Sequence, residues 1–135
     1  MKKLFAFLSA VALLLMLCAC GGNVKSAVIV PVDSDIFTAR EIDDANNTAI
    51  KYFDRKFTGC TLKEIRYIGD EAAESFDKLA EQYNADDAIV LVSTFDVDSH
   101  GGDGSFDQNS TYTDWQWILV KDASGAWRNV DHGYA

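Results

Sequence analysis

The side chains with reactive potential are few and scattered. His100 and His132 are the only histidines. Asp131 precedes His132, so on a strand the two side chains point to opposite faces and form no direct dyad. No serine sits in a G-x-S-x-G elbow. Asp96, Asp114 and Asp131 fall on predicted strands or at their ends, where only a buried carboxylate would serve as a general base. Asp96-Val97-Asp98-Ser99-His100-Gly101 opens like a calcium loop, with acids first and third, glycine sixth and Asp107 twelfth. His100 stands where an oxygen ligand belongs and the closing acid is not Glu, so an acidic hairpin loop is the expected reading. Gly101-Gly102-Asp103-Gly104 lacks the Gly-Lys-Ser/Thr ending of a phosphate cradle, and its acid would repel phosphate. The expectation is therefore no catalytic set, no metal site and no cofactor.

Cysteine chemistry is more specific. Lys2 and Lys3 precede an uncharged apolar run from Leu4 to Leu17, shorter than the roughly 20 residues a spanning helix needs. Leu17-Cys18-Ala19-Cys20 follows, with a small residue before the second cysteine. This resembles the lipobox of bacterial lipoproteins, in which that cysteine takes a thioether-linked diacylglyceryl group and becomes the first mature residue. Two acyl chains hold a protein at a membrane where one holds it only marginally. Cys20 is thus the expected lipidation site; Cys18 is a poorer one, because Leu17 is a poor residue for cleavage. The chain is expected at the cell membrane, lipid-anchored on the extracytoplasmic side. Cys60 is then the one mature thiol without a lipid, which allows no internal disulfide and no zinc cluster. Phe57, Leu62 and Ile65 flank it, so a buried structural thiol is predicted.

The elements that must position these residues follow from periodicity. Residues 1–19 form the leader. Residues 20–35 hold the lipidated cysteine, a small polar tether over Gly21 to Ser26 and an apolar arm, Ala27 to Val32, whose Pro31 suits an edge strand. Residues 36–135 form a single α+β domain. Thr38-Ala39-Arg40-Glu41 is a capping box, and Ile42, Ala45, Ala49, Phe53 and Phe57 follow at helical spacing. A strand is predicted from Thr61 to Ile68. A second helix follows with Asp70 as N-cap and Ala72, Phe76, Leu79 and Tyr83 on one stripe. Strands over Ala88–Val97, Tyr112–Lys121 and Ala126–Tyr134 complete the chain as an antiparallel meander. The predicted order is helix-strand-helix-strand-strand-strand, a long N-terminal helix on a curved antiparallel sheet.

Ile89-Val90-Leu91-Val92 and Ile118-Leu119-Val120 do not alternate polar with apolar, unlike a strand wet on one face. Both faces need a cover, and the helices supply only one. The arm, a ligand or a homodimer through the sheet face would supply the other. Val90, Val92 and Val120 are the candidate residues there. Trp115 and Trp117, on one strand face with Leu119, are candidates for a ligand pocket or interface and equally for core packing against the long helix.

Of the 135 residues, 12 are basic and 21 acidic. Without Lys2 and Lys3 the side-chain charge is −11, which disfavours nucleic acid as a partner and docking of the domain on anionic lipid. A mature chain of this length buries a core without disulfides.

Phe57-Thr58-Gly59-Cys60-Thr61-Leu62, Ala88-Ile89-Val90-Leu91-Val92-Ser93 with its Gly/Asp loop, Tyr112-Thr113-Asp114-Trp115-Gln116-Trp117-Ile118-Leu119-Val120 and Gly133-Tyr134 carry a family likeness. Together they resemble a family of small uncharacterised lipoproteins of anaerobic Gram-positive bacteria, over residues 38–135. The element order is similar to the nuclear-transport-factor-2-like and cystatin-like folds. The resemblance implies location and fold, but no reaction. It leaves a non-enzymatic binding or accessory module of the envelope as the first expectation. A pocket enzyme or small-ligand carrier is the second, and an inhibitor or immunity-type protein the third.

Overall fold

The computed structural model describes residues 21–134, so the leader and Cys20 lie outside the described residues. Thr38 starts the long helix α1 (Ala39–Lys56) as expected: its Oγ1 accepts from the Glu41 N–H at 3.1 Å, and its own N–H donates to Glu41 Oε1 at 3.2 Å. Both groups are otherwise orphaned donors of a helix start. Thr38→Ala should lower stability by about 1 kcal/mol in urea titration. Ile42, Ala45, Asn46, Ala49 and Phe53 form the buried stripe of α1.

A single five-stranded sheet receives that stripe, in the order β1-β2-β3-β4-β5. β1 (Val28–Val30) is parallel to β2 (Cys60–Tyr67); β3 (Asp87–Val97), β4 (Thr111–Lys121) and β5 (Trp127–Gly133) continue antiparallel. The architecture is α+β, but the element order departs from expectation, because a strand precedes the helix. The arm therefore does not cover a sheet face. It lengthens the sheet in plane, with Val28, Ile29 and Val30 beside Glu64, Ile65 and Arg66. Its burial pattern fits an edge: Val28 is exposed, while Ile29 packs on the core.

The face toward α1 carries Leu62, Ile65, Tyr67, Ile89, Leu91, Phe95, Trp117 and Leu119, all essentially inaccessible. Registers are reset by irregularities in β2, β4 and β5. In β4 the reset lies between Tyr112 and Trp115, where Asp114 has φ 56. In β5 it falls at Val130, because Leu119 pairs with Asn129 and Ile118 with Asp131. Such bulges re-aim side chains. Tyr112 and Trp115, and likewise Trp127 and His132, thereby share one face despite odd spacings.

The second helix, α2 (Ala73–Gln82), follows a 3-10 turn at Asp70–Ala72 and packs on β3. Asp70 is not its N-cap. The carboxylate turns back and accepts from Ser34 Oγ (2.6 Å), the Asp35 N–H (2.7 Å) and Tyr67 Oη (2.8 Å). Three donors outbid one helix end, and they hold the Asp70 carboxyl below its ordinary pKa, the Ser34 bond foremost. Ser34 Oγ also accepts from the Phe37 N–H at 2.9 Å. The clamp seats Phe37 among Tyr67, Phe76 and Trp127, with ring centroids at 5.7, 6.1 and 5.9 Å. Among the described residues no helix is long and apolar enough to cross a membrane.

Candidate functional site

The densest chemistry lies where the C-terminal end of α1 meets β4 and β5. Phe57 caps α1 and projects into a ring cluster. Its centroid is 5.2 Å from Trp117, 5.1 Å from His132, 5.5 Å from Phe95 and 5.7 Å from Phe106. Trp117 is fully buried and donates Nε1–H to Ser93 Oγ at 2.8 Å, so its one polar group is satisfied. Outside this layer Tyr112, Trp115 and Tyr134 pack mutually at 5.3–5.7 Å. Trp115 and Tyr112 are half-buried, and Tyr134 is exposed. The cluster thus has a dry base and an accessible aromatic rim.

Two polar atoms in it have no protein partner. Trp115 Nε1 and His132 Nδ1 are both inaccessible and unpaired, and their rings lie 5.7 Å apart. An unpaired buried polar atom is costly, so each of these calls for a partner from outside the protein, whether water, ion or ligand. Burial holds the His132 pKa below its ordinary 6.5 against the opposing pull of Asp131. The folded state therefore favours neutral imidazole, and stability should fall as pH drops below about 6.5. The depressed carboxylates respond only at lower pH; Glu41, for one, starts from 4.5. His132→Gln should flatten the pH dependence of the urea midpoint between those two values.

Two further amides lie in the layer between helix and sheet. Asn46 is fully buried on α1, and neither its Oδ1 nor its Nδ2 has a protein partner. Asn129 Oδ1 on β5 is likewise inaccessible and unpaired. At the other pole of the domain, a groove of about 620 Å³ is lined by Glu41, Asp44, Thr48, Lys51, Lys121 and Trp127, among others. Two of its charges are paired with each other. Lys121 Nζ donates to Glu41 Oε2 at 2.7 Å and stands 4.9 Å from the Trp127 ring. The Lys121 hydrogen bond, with the capping bond from Thr38, keeps the Glu41 carboxyl below its ordinary pKa.

The structure divides the sequence-predicted site residues. Trp115 and Trp117 face α1; Val90, Val92 and Val120 lie on the opposite face. These valines are buried, at 4, 6 and 0% exposure, so a second copy on that face would first meet Gln116, Ile118 and Arg128. Of the acids considered as bases, Asp114 and Asp131 are exposed, and half-exposed Asp96 is engaged by Thr111 Oγ1 at 2.7 Å. The calcium-like loop is closed on itself: Asp98 Oδ1 accepts from the His100 and Gly102 N–H groups, both at 3.0 Å. Among the described residues no group of three or more His, Cys, Asp or Glu is placed to hold a metal. Cys60 is a buried free thiol whose pKa burial pushes up to about 11. Lipidation of Cys20 lies outside the described residues.

His132 and Asn46 carry the most informative chemistry here, and the sequence reading passed over both roles. Asn46 had a signal: it lies four residues after Ile42, on the apolar stripe. His132 had none, because only the Val130 bulge turns it toward Trp117.

No family model, curated protein or solved structure matches this chain.

Proposed function

We propose that the protein is a lipid-anchored, extracytoplasmic binding module of the cell envelope, with Cys20 as the lipidated residue. The aromatic pole around Trp115 and His132 is its binding site. The leader pattern and the Leu17-Cys18-Ala19-Cys20 motif support the anchor. One observation carries the binding role: Trp115 Nε1 and His132 Nδ1 are unpaired, on rings whose centroids lie 5.7 Å apart beneath a half-exposed aromatic surface. A donor and an imidazole nitrogen within aromatic walls suit a ligand with an apolar face and a hydrogen-bonding edge. Asp107 and Asp114 lie close enough to raise the Tyr134 pKa, after burial and Tyr112, so the ligand is neutral or cationic. The nuclear-transport-factor-2-like or cystatin-like fold stays a reading from the sequence, and the structure departs from its expected order by the strand that precedes α1.

Two measurements test the reading. Mass spectrometry of the membrane fraction should find a diacylglyceryl adduct on Cys20, lost in Cys20→Ser. Titration with N-acetylglucosamine (neutral, with an amide acceptor) and tetramethylammonium (a compact cation) should shift the Trp115 indole N–H resonance. That resonance is assigned by its disappearance in Trp115→Phe. If neither probe moves it at millimolar concentration while the Trp117 resonance shows a folded chain, the binding site is misplaced.

A further inference from the structure

The segment expected as a tether is built into the domain. The Gly22 N–H donates to the Asp54 carbonyl at 2.9 Å. The Asn23 N–H donates to the Cys60 carbonyl, and its own carbonyl accepts from Leu62 N–H, both at 2.9 Å. Asn23 thus adds a bridge beside Thr61, ahead of β1 on the same strand edge. The approach is so close that it requires glycine: a Cβ on Gly21 would run into the Asp54 carbonyl oxygen, and one on Gly22 would stand 2.5 Å from that of Phe53. Val24 and Ala27 then pack on the core. Only Gly21 separates Cys20 from this docked backbone, and one residue spans about 3.5 Å. A free linker of about 15 residues would instead let the domain wander by about 20 Å.

The docking point also selects a pole. The C-terminal end of α1, the start of β2, the end of β3, the 98–110 loop, the start of β4 and the end of β5 all gather there. The Asp98 N–H to Gly59 carbonyl bond (3.0 Å) and the Phe57–Phe106 contact (5.7 Å) tie them together. This is the pole that bears Phe106, Tyr112, Trp115 and Tyr134. Amphipathic aromatic rings of this kind favour the level of lipid headgroups. Asp98, Asp103, Asp107 and Asp114 share the pole, so it suits neutral headgroups and is repelled by anionic ones.

We propose that the docked Gly22–Asn23 backbone makes a lipid on Cys20 a short mount, which holds the Phe106–Tyr112–Trp115–Tyr134 pole at the bilayer surface, so that the Trp115–His132 site meets its ligand at headgroup level. The Glu41–Lys121–Trp127 groove then faces away from the membrane. This rests on the lipidation proposed above, and the two readings fail separately. In the full chain, lipidated and reconstituted in phosphatidylcholine vesicles, a fluorophore is placed at Gln108→Cys near the mount or at Ala123→Cys at the far pole. Cys60, buried and with a raised pKa, stays unlabelled at neutral pH. A nitroxide on the lipid headgroup should quench the label at 108 several-fold more than the label at 123. Fifteen Gly/Ser residues inserted between Cys20 and Gly21 should remove most of that difference. Equal quenching at both positions in the uninterrupted chain overturns the mount, and so does an asymmetry that survives the insertion. A missing lipid mass on Cys20 overturns the anchor itself.

Discussion

Trp117→Ala should lower stability by about 3–5 kcal/mol, read as a fall in urea midpoint at unchanged slope. The indole is fully buried, and Tyr52, Phe53, Phe57 and His132 lie with ring centroids 5.2–6.3 Å away. Removing it leaves a cavity that α1 and β5 cannot close together, because Tyr52 and Phe53 of α1, Phe57 at its end and His132 of β5 all lie against it. A domain of this size has about 5–15 kcal/mol in total, so the loss brings it near half-unfolded in the worst case. Trp117→Phe separates packing from polarity. It restores most of the apolar volume but leaves Ser93 Oγ without its donor at 2.8 Å. Ser93 can still donate to the Trp115 carbonyl at 3.3 Å, so the phenylalanine variant should cost less than half of what alanine costs. Equal losses would mean that the hydrogen bond, not the ring packing, holds this region.

That cluster also shows what was legible in the sequence. Trp115, Trp117 and Leu119 alternate along one strand, and period two puts them on one face without further information. The capping box and the Ile42-Ala45-Ala49-Phe53 stripe were equally plain, because helix starts and helical faces are encoded within a few neighbouring residues. The strand boundaries came within a residue or so for the same reason. Features set by contacts distant in sequence were not legible. Nothing near Val28 says that it will lie parallel to Glu64, and nothing near Gly22 says that Asp54 will accept its N–H. Asp70 had the position of an N-cap, but its oxygens are claimed by Ser34 and Asp35 from 35 residues or more upstream. The bulges matter most for the site. An unbroken β5 would turn Trp127 and His132 to opposite faces, and the slip at Val130 brings both toward α1. Bulges leave almost no mark in a single sequence, so the pairing of His132 with Trp115 was hidden while each residue was in plain view.

Asn46→Leu should raise stability, by about 1–3 kcal/mol. Its amide offers two donors and an acceptor, it is fully buried, and no protein group meets any of them. Leucine has the same branched shape, though its two methyls are bulkier than the amide, needs no partner, and has a higher helix propensity in the middle of α1. The residues on either side of the stripe, Ala45 and Ala49, are small and fully buried, so α1 already lies close to the sheet there. A polar side chain at such a position opposes the fold, and natural chains keep such residues where activity needs them at some loss of stability. The direction of the change is therefore diagnostic. A stabilised Asn46→Leu chain means that the amide is surplus to folding. It should then also show an altered Trp115 response to the neutral probe if the interior amides extend the site from β5 inward. A destabilised one means that the space at Asn46 is fitted to the amide and its bound water, and the residue belongs to the architecture. Asn46→Asp sharpens the distinction. A carboxylate in the same place meets no basic partner on the buried stripe of α1, so it must be protonated to stay. Its folded pKa would rise above the unfolded value of about 3.9, so the penalty should grow as pH rises through 4 and beyond. Asn46→Leu should show no such slope.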